Sequence, residues 1–299
     1  MSPVSTAYRG RFAPSPTGPL HLGSLIAALA SYLDARACNG TWLVRMEDLD
    51  PPREQPGAAT AILQSLEDHA LTWDESVLWQ SDRHTAYADA LADLDRSGHL
   101  FNCDCTRAIL GPNGACGDRC PPRQGELEPP AATRITVPAT TEVSFIDAIQ
   151  GQQRCPLGSE LPDFTLRRKD KLYAYQLAVV VDDGFQDINR IVRGSDLLDS
   201  TPRQHYLQQC LGLPHPVYAH FPVITNALGQ KFSKQNHAPA ITSAQAASNL
   251  RNALAFLQQE APPQDMDQPP DILAFATAHW DLQRVPGGTA IAAEPPGEG

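Results

Sequence analysis

Residues 11–25, RFAPSPTGPLHLGSL, join a stiffened loop to the start of a helix. Pro14, Pro16 and Pro19 restrict the loop, and Gly18 permits backbone geometry closed to other residues. The alanine-rich run at 24–37 has helical periodicity with few breakers, and 41–47 alternates like a strand. Preceded by a short strand, this order is that of a parallel α/β nucleotide-binding domain. Free N–H groups at a helix start, aided by the helix dipole, favour an anion such as phosphate. His21 would add a hydrogen bond to that phosphate, and Gly23 would let a base or sugar approach the main chain. A bare H-x-G matches by chance often enough that an ordinary turn is the simpler reading of it alone.

The chain has 299 residues, of which 42% are hydrophobic, enough for one large or two modest domains. No run approaches the ~20 apolar residues of a membrane helix, and MSPVSTAYRGRF lacks the apolar core of a secretion signal. A soluble, monomeric, cytoplasmic protein with no membrane partner is expected. The net charge of −11 argues against a non-specific nucleic-acid coat, though a local basic face remains compatible with it. Only four of the 23 basic residues are lysines, and two of those share the tetrapeptide Lys231-Phe232-Ser233-Lys234. Arginine does not replace a compact ammonium on a flexible stem.

Texture divides the chain. Residues 1–100 read as the first half of a Rossmann-like catalytic domain, with helices at 57–72 and 84–97. Residues 101–170 read as an inserted α+β subdomain with its own small sheet, including strand-like pieces at 133–137 and 142–146. Residues 171–241 resume the catalytic domain: 172–182 has a buried-strand or strand-flanked pattern, then a helix near 203–211 and a strand at 217–224 precede the Lys231 loop. A short helical region spans 242–284, with helices at 242–259 and 270–282. The Pro/Gly/Ala-rich end, 285–299, is expected to be disordered.

Paired with the loop at 14–24, KFSK at 231–234 gains meaning. Adenylate transfer from ATP needs one element to hold the base and α-phosphate. It needs another to neutralise charge growing on the leaving pyrophosphate. His21, Gly23, Lys231, Ser233 and Lys234 form the candidate catalytic set, with His21, Gly23 and Lys234 the ATP contacts.

The chain resembles class I aminoacyl-tRNA synthetases. PSPTGPLHLGS is similar to their "HIGH" element and KFSKQ to their "KMSKS" element. RFAPSPTG, VRMEDLDPPR (44–53), YQLAVVVDD (175–183) and VRGSDLLDSTPRQ (192–204) resemble the glutamyl branch. The resemblance spans about residues 9 to 240 and implies a class I α/β catalytic fold and a glutamate substrate. Glutamate offers one ammonium and two carboxylates. Arg11 and Arg193 are candidate carboxylate partners, since arginine makes a bidentate fork. Glu47 would receive the ammonium and Tyr175 would donate a hydroxyl. The resemblance places the amino acid in a site made by Arg11, Phe12, Ala13, Pro14, Ser15, Glu47, Tyr175 and Arg193.

Of seven cysteines, Cys103, Cys105, Cys116 and Cys120 cluster, while Cys38, Cys155 and Cys210 stand alone. The cluster suits a tetrahedral thiolate zinc site; reduced, unliganded thiols on a loop are the alternative. Four thiolates would close the coordination shell, so one zinc ion per chain would brace the insertion rather than catalyse. In the family resembled here the third ligand is commonly tyrosine, and Cys116 stands at its place.

Only 65 residues follow Lys234, too few for the large anticodon-reading domain of a full glutamyl-tRNA synthetase. By resemblance, truncated members of the branch are glutamyl-Q tRNA(Asp) synthetases. They activate L-glutamate with ATP, accompanied by magnesium, and transfer it to queuosine in the anticodon of tRNA(Asp). Single-stranded loops offer such splayed, readable groups. The alternatives are a conventional glutamyl- or glutaminyl-tRNA synthetase fragment that charges a tRNA 3′ end, and a zinc-containing RNA-binding protein on a dead catalytic fold.

Overall fold

The computed structural model describes residues 7–111, 114–225 and 240–292. In chain order the elements are β1 (Arg9–Phe12), α1 (Leu22–Ala37), β2 (Thr41–Met46), α2 (Ala58–Asp68), β3 (Leu78–Trp79), α3 (His84–Arg96) and β4 (Leu100–Cys103). There follow β5 (Ala132–Thr136), β6 (Val143–Asp147), β7 (Gly151–Cys155), α4 (Leu157–Glu160), β8 (Asp163–Arg167), α5 (Tyr175–Phe185) and β9 (Arg190–Gly194). The remainder is α6 (Thr201–Cys210), β10 (Val217–Phe221), β11 (Val223–Thr225), α7 (Ala246–Phe256), α8 (Pro269–Ala278) and β12 (Ala290–Ala292).

Two parallel arrays meet side by side. β2 pairs with β1 and β3 on one side, and β10 pairs with β9 on the other, all parallel. β1 and β9 are bridged at their starts, where Asn189 N–H donates to Arg9 O and Arg9 N–H to Asn189 Oδ1. One βαβ unit therefore runs outward from β1 and another from β9. The crevice past the carboxyl ends of these two strands is the topological switch point where ligands bind in open α/β sheets.

Helix α1 packs between this sheet and helices α7 and α8, which explains its near-uniform apolar sequence. Leu25, Ile26, Leu29 and Leu33 are fully buried beside Trp42, Val44, Leu250, Leu254 and Ile272. Its one buried acid, Asp34, accepts from Tyr8 Oη at 2.6 Å and Trp280 Nε1 at 3.0 Å. A second core joins α3, α5 and α6 to β5 and β8 through Tyr87, Leu94, Ile135, Leu166, Val179 and Leu207.

Four expectations change. The 172–182 stretch enters α5 instead of forming a strand. Its run Leu177-Ala178-Val179-Val180 is buried along with Gln176, Asp182 and Asp183, so no polar face betrays the helical period. The strand expected at 217–224 is broken at Pro222 into β10 and β11, because proline supplies no ladder N–H. The insertion does not keep all its strands to itself. β4-β5-β8 form an antiparallel sheet, but the β6–β7 hairpin joins β10 through Tyr218 and Asp147. Finally, part of the 285–299 tail is ordered: Val285 is buried, and β12 lies parallel to β11. Composition there marked poor core-forming power but carried no information on the open backbone edge that β11 offers. Among the described residues no helix is long and apolar enough to cross a membrane.

Candidate active site

A cavity of about 760 Å³ opens at the carboxyl ends of β1 and β9, against the first turn of α1. Its lining includes Arg11 and Phe12 from β1, Ala13, Pro14 and Ser15 from the loop, Glu47 just past β2, Tyr175 at the start of α5, and Arg193 on β9. His21 and Gly23 line it too, so every candidate substrate residue among the described ones comes to one place. Lys231, Ser233 and Lys234 lie outside the described residues. The chain on either side of them meets the same cavity: Val223 and Ile224 line it, and Ala240 bridges to His21 while Ile241 N–H donates to Leu20 O at 3.0 Å.

The loop is held by its own backbone. Pro14 O accepts from Glu47 N–H at 2.9 Å, and Pro16 O from Gln55 N–H at 3.0 Å. Gly18 adopts a φ of 137°, in the region that favours glycine. His21 caps α1, its ring Nδ1 accepting from Ser24 N–H at 3.3 Å. A side chain at position 23 would press on that ring, since a Cβ there would stand 3.1 Å from His21 Cε1.

The polar groups sort into engaged and waiting atoms. Arg11 Nε and Nη2 both donate to Asp183, at 3.0 and 3.4 Å, and Arg45 Nη1 donates to the same carboxylate at 2.8 Å. Burial would raise the Asp183 carboxyl, but Arg11 and Arg45 together hold it below its ordinary value. Glu47 Oε1 is buried with no hydrogen-bond partner; its nearest cation is Arg45 Nη2 at 3.6 Å. Burial raises the Glu47 carboxyl, with Arg45 and Arg11 pulling it back. Arg193 has Nη1 buried and without a hydrogen bond, although its Nε and Nη2 are satisfied. Burial also pushes the Tyr175 hydroxyl up, so it stays a neutral donor. Arg45 Nε and Nη2 are also unbonded, but among the described residues that line the cavity the buried unbonded atoms are Glu47 Oε1 and Arg193 Nη1, which suits a zwitterion carrying an extra carboxylate.

Arg45, Asp183, His220 and Asp147 were missing from the sequence-based site. Arg45 could have been found: it stands on β2 two positions before Glu47, the spacing at which extended backbone returns to the same face. Asp183 ends the quoted YQLAVVVDD motif, but its partners are 172 and 138 positions away.

In the insertion, Cys103, Cys105, Cys116 and Cys120 are all buried, and their Sγ atoms lie within 4.8 Å of one another. Cys105 Sγ is 3.5 Å from Cys120 Sγ and 3.8 Å from Cys116 Sγ. A tetrahedral Zn–thiolate centre with bonds of ~2.3 Å has S···S edges of about 3.8 Å, so these four thiols could hold zinc. Asp163 braces the site from below, accepting from Cys116 N–H at 3.0 Å and Gly117 N–H at 2.7 Å while pairing with Arg134.

The model of tRNA synthetases class I (E and Q), catalytic domain, matches residues 7–111 and 123–257. A glutamyl-Q tRNA(Asp) synthetase from Pseudomonas fluorescens is 51% identical over 286 residues, covering 95% of each chain. One from Neisseria meningitidis is 49% identical over 293 residues, covering 93% of this chain and 97% of its own. The chain belongs to the class I glutamyl and glutaminyl tRNA synthetase family, in its glutamyl-Q tRNA(Asp) synthetase branch. It is thus a ligase of the aminoacyl-tRNA synthetase type. A solved glutamate tRNA ligase from Elizabethkingia meningosepticum, in complex with its amino acid, superposes with a TM-score of 0.77 at 20% identity. That likeness covers 96% of this synthetase and 67% of the other chain, and shows the shared fold.

Proposed function

We propose that this synthetase activates L-glutamate with ATP and transfers the glutamyl group to queuosine in the anticodon of tRNA(Asp). The observation that carries the first half is the pair of orphaned atoms, Glu47 Oε1 and Arg193 Nη1, beside one cavity at the switch point. Glu47 takes the substrate ammonium. Arg193 takes a carboxylate, Arg11 adds positive potential from its pair with Asp183, and Tyr175 donates its hydroxyl. Phe12, Ala13, Pro14 and Ser15 supply the wall, and the Ser15 hydroxyl bonds the amino acid or its adenylate.

The α-carboxylate then attacks the α-phosphorus of ATP, giving glutamyl-adenylate and pyrophosphate. His21 and Gly23 accommodate the nucleotide at the α1 start. Lys234, supported by Lys231 and Ser233, neutralises the departing pyrophosphate, with magnesium accompanying the nucleotide. In the second step a queuosine hydroxyl attacks the activated carbonyl, AMP leaves and the hydroxyl proton is released. Positioning and electrostatics supply the rate, with no protein nucleophile. The transfer half is supported by the names of the relatives, which this chain matches at about half of the positions. Cys103, Cys105, Cys116 and Cys120 hold one structural zinc, which fills no role in either step because four thiolates leave no open position.

Glutamate-dependent ATP–pyrophosphate exchange without tRNA tests activation. Transfer of labelled glutamate to tRNA(Asp) with and without queuosine, and to tRNA(Glu), tests the acceptor. Labelling only of queuosine-bearing tRNA(Asp) is expected. Charging of the tRNA(Glu) 3′ end would establish the conventional synthetase reaction instead, and absence of exchange would establish a dead catalytic fold.

A further inference from the structure

Arg193 reaches the cavity at the end of a buried chain of hydrogen bonds. Its Nε donates to His220 Nε2 at 2.9 Å, and His220 Nδ1 lies 2.5 Å from Asp147 Oδ2. All three residues are buried. Nη2 of Arg193 donates to Thr201 Oγ1 at 2.9 Å and Gln204 Oε1 at 2.8 Å, which leaves Nη1 as the orphan. Asp147 Oδ1 is separately occupied, accepting the backbone N–H groups of Ile149, Gln150 and His220.

Proton counting leaves a single consistent arrangement. A guanidinium has donors only, so His220 Nε2 must accept and its ring proton must sit on Nδ1. That proton needs an acceptor, which Asp147 provides when ionised. Burial holds His220 below its ordinary value, hence neutral. Burial would raise Asp147, but bonds from His220 and the Gln150 backbone outweigh it, hence ionised. The geometry and the protonation states agree.

We infer that His220 and Asp147 are positioning residues that aim the Nη1 edge of Arg193 at a carboxylate of glutamate, setting affinity for the amino acid and leaving that for ATP alone. The inference rests on the reading of Arg193 as a carboxylate partner. Asp147 sits at the end of β6, so the hairpin that joins the main sheet from the insertion also orients the amino-acid site. The hairpin pairs with β10 at Tyr218, two residues before His220.

Asp147→Asn is the informative variant. Its side-chain oxygen still accepts the three backbone N–H groups, but its amide faces His220 Nδ1 with a donor. The ring proton must then move to Nε2, where it opposes Arg193 Nε–H. In ATP–pyrophosphate exchange, KM for glutamate should rise about tenfold or more, as for loss of a charge-assisted bond, with KM for ATP and kcat little changed. His220→Leu should do the same, while His220→Gln, which keeps an acceptor for Arg193, should rescue most of the affinity. Histidine 15N spectra, assigned by the signal lost in His220→Gln, should show the Nδ1–H form in the parent and the Nε2–H form in Asp147→Asn. Arg193→Lys serves as the control. If it leaves KM for glutamate unchanged, the reading of Arg193 fails and the inference with it. If it raises KM while Asp147→Asn and His220→Leu do not, the inference alone is wrong. Equal losses for glutamate and ATP, or an unshifted tautomer, would likewise reduce the trio to packing.

Discussion

The cavity and the cysteine cluster both gather polar groups inside the protein, but they are held there differently. The cavity rests on the carboxyl ends of parallel strands, under a helix buried on nearly every side. Arg11 and Arg45 share the Asp183 carboxylate before any substrate arrives. The cysteine cluster sits where β4 runs out into loops, and among the described residues the apolar ones around it are few: Phe101, with Leu110 and Leu127 partly buried. One site is organised by the fold that surrounds it. The other is a place where a metal would organise the fold, which structural zinc does with energy that is itself folding energy. Damage to the two should therefore look different, in stability and in which half-reaction suffers.

The largest effect is expected where the fold-organised site is broken from inside. Asp183→Ala leaves two buried arginines without their carboxylate. Removal of one partner from a buried pair costs about 3–5 kcal/mol, read as a lowered midpoint in urea unfolding together with lost exchange activity. A stability loss no larger than that of an exposed pair such as Arg9–Glu75 would mean that Asp183 and its two arginines are not what holds the cavity.

Next comes Lys234→Ala, aimed at chemistry alone. Loss of one group that stabilises transition-state charge slows a reaction by about 10²–10³-fold. Exchange should fall by that order while glutamate binding, measured by calorimetry, changes far less. Comparable losses in both would assign the lysine to holding substrate. Removing zinc should invert the pattern of Asp183→Ala. Chelation, or Cys116→Ser, should lower the metal below about one ion per chain, and destabilise the insertion. Transfer to tRNA should weaken more than exchange, because none of the four cysteines lines the cavity where the adenylate forms. Metal content far below one per chain in the untouched protein would show that the thiols are unliganded.

The same contrast explains what could be read from the chain. Local patterns carried the α/β order, since α1, β2, α3 and α6 each announce themselves through periodicity and breakers within a dozen residues. The cysteine cluster was equally legible, because metal spacing is a short-range signal. What stayed hidden depends on distant partners. Asp183 means little until Arg11 and Arg45 meet it, and His220 reads as a core histidine until Asp147 and Arg193 stand on either side. Helix α5 hid for the opposite reason: its apolar run Leu177-Ala178-Val179-Val180-Val181 leaves no polar face to mark the period that would have named it. The order at 285–292 was invisible because it depends on an edge, β11, that composition cannot describe.

The smallest effect expected is a pH dependence confined to the amino-acid site. Burial raises the Glu47 carboxyl above the ordinary value of 4.5. Only its ionised form attracts an ammonium, so KM for glutamate should climb as pH falls through that raised value, while KM for ATP stays level. Stability moves the other way for this group. A raised carboxyl means the folded state binds the proton more readily than the unfolded chain, so Glu47 opposes folding at neutral pH and the penalty eases on acidification. Asp183 has the reverse sign: its lowered value contributes stability that is present above the unfolded value and lost as pH falls through the folded one. Glu47→Gln should abolish the pH dependence of KM at a uniformly higher KM, and should leave the acid loss of stability from Asp183 in place. A KM for glutamate that stays flat down to pH 4.5 would mean that Glu47 does not meet the substrate ammonium, and the cavity's waiting carboxylate would need another occupant.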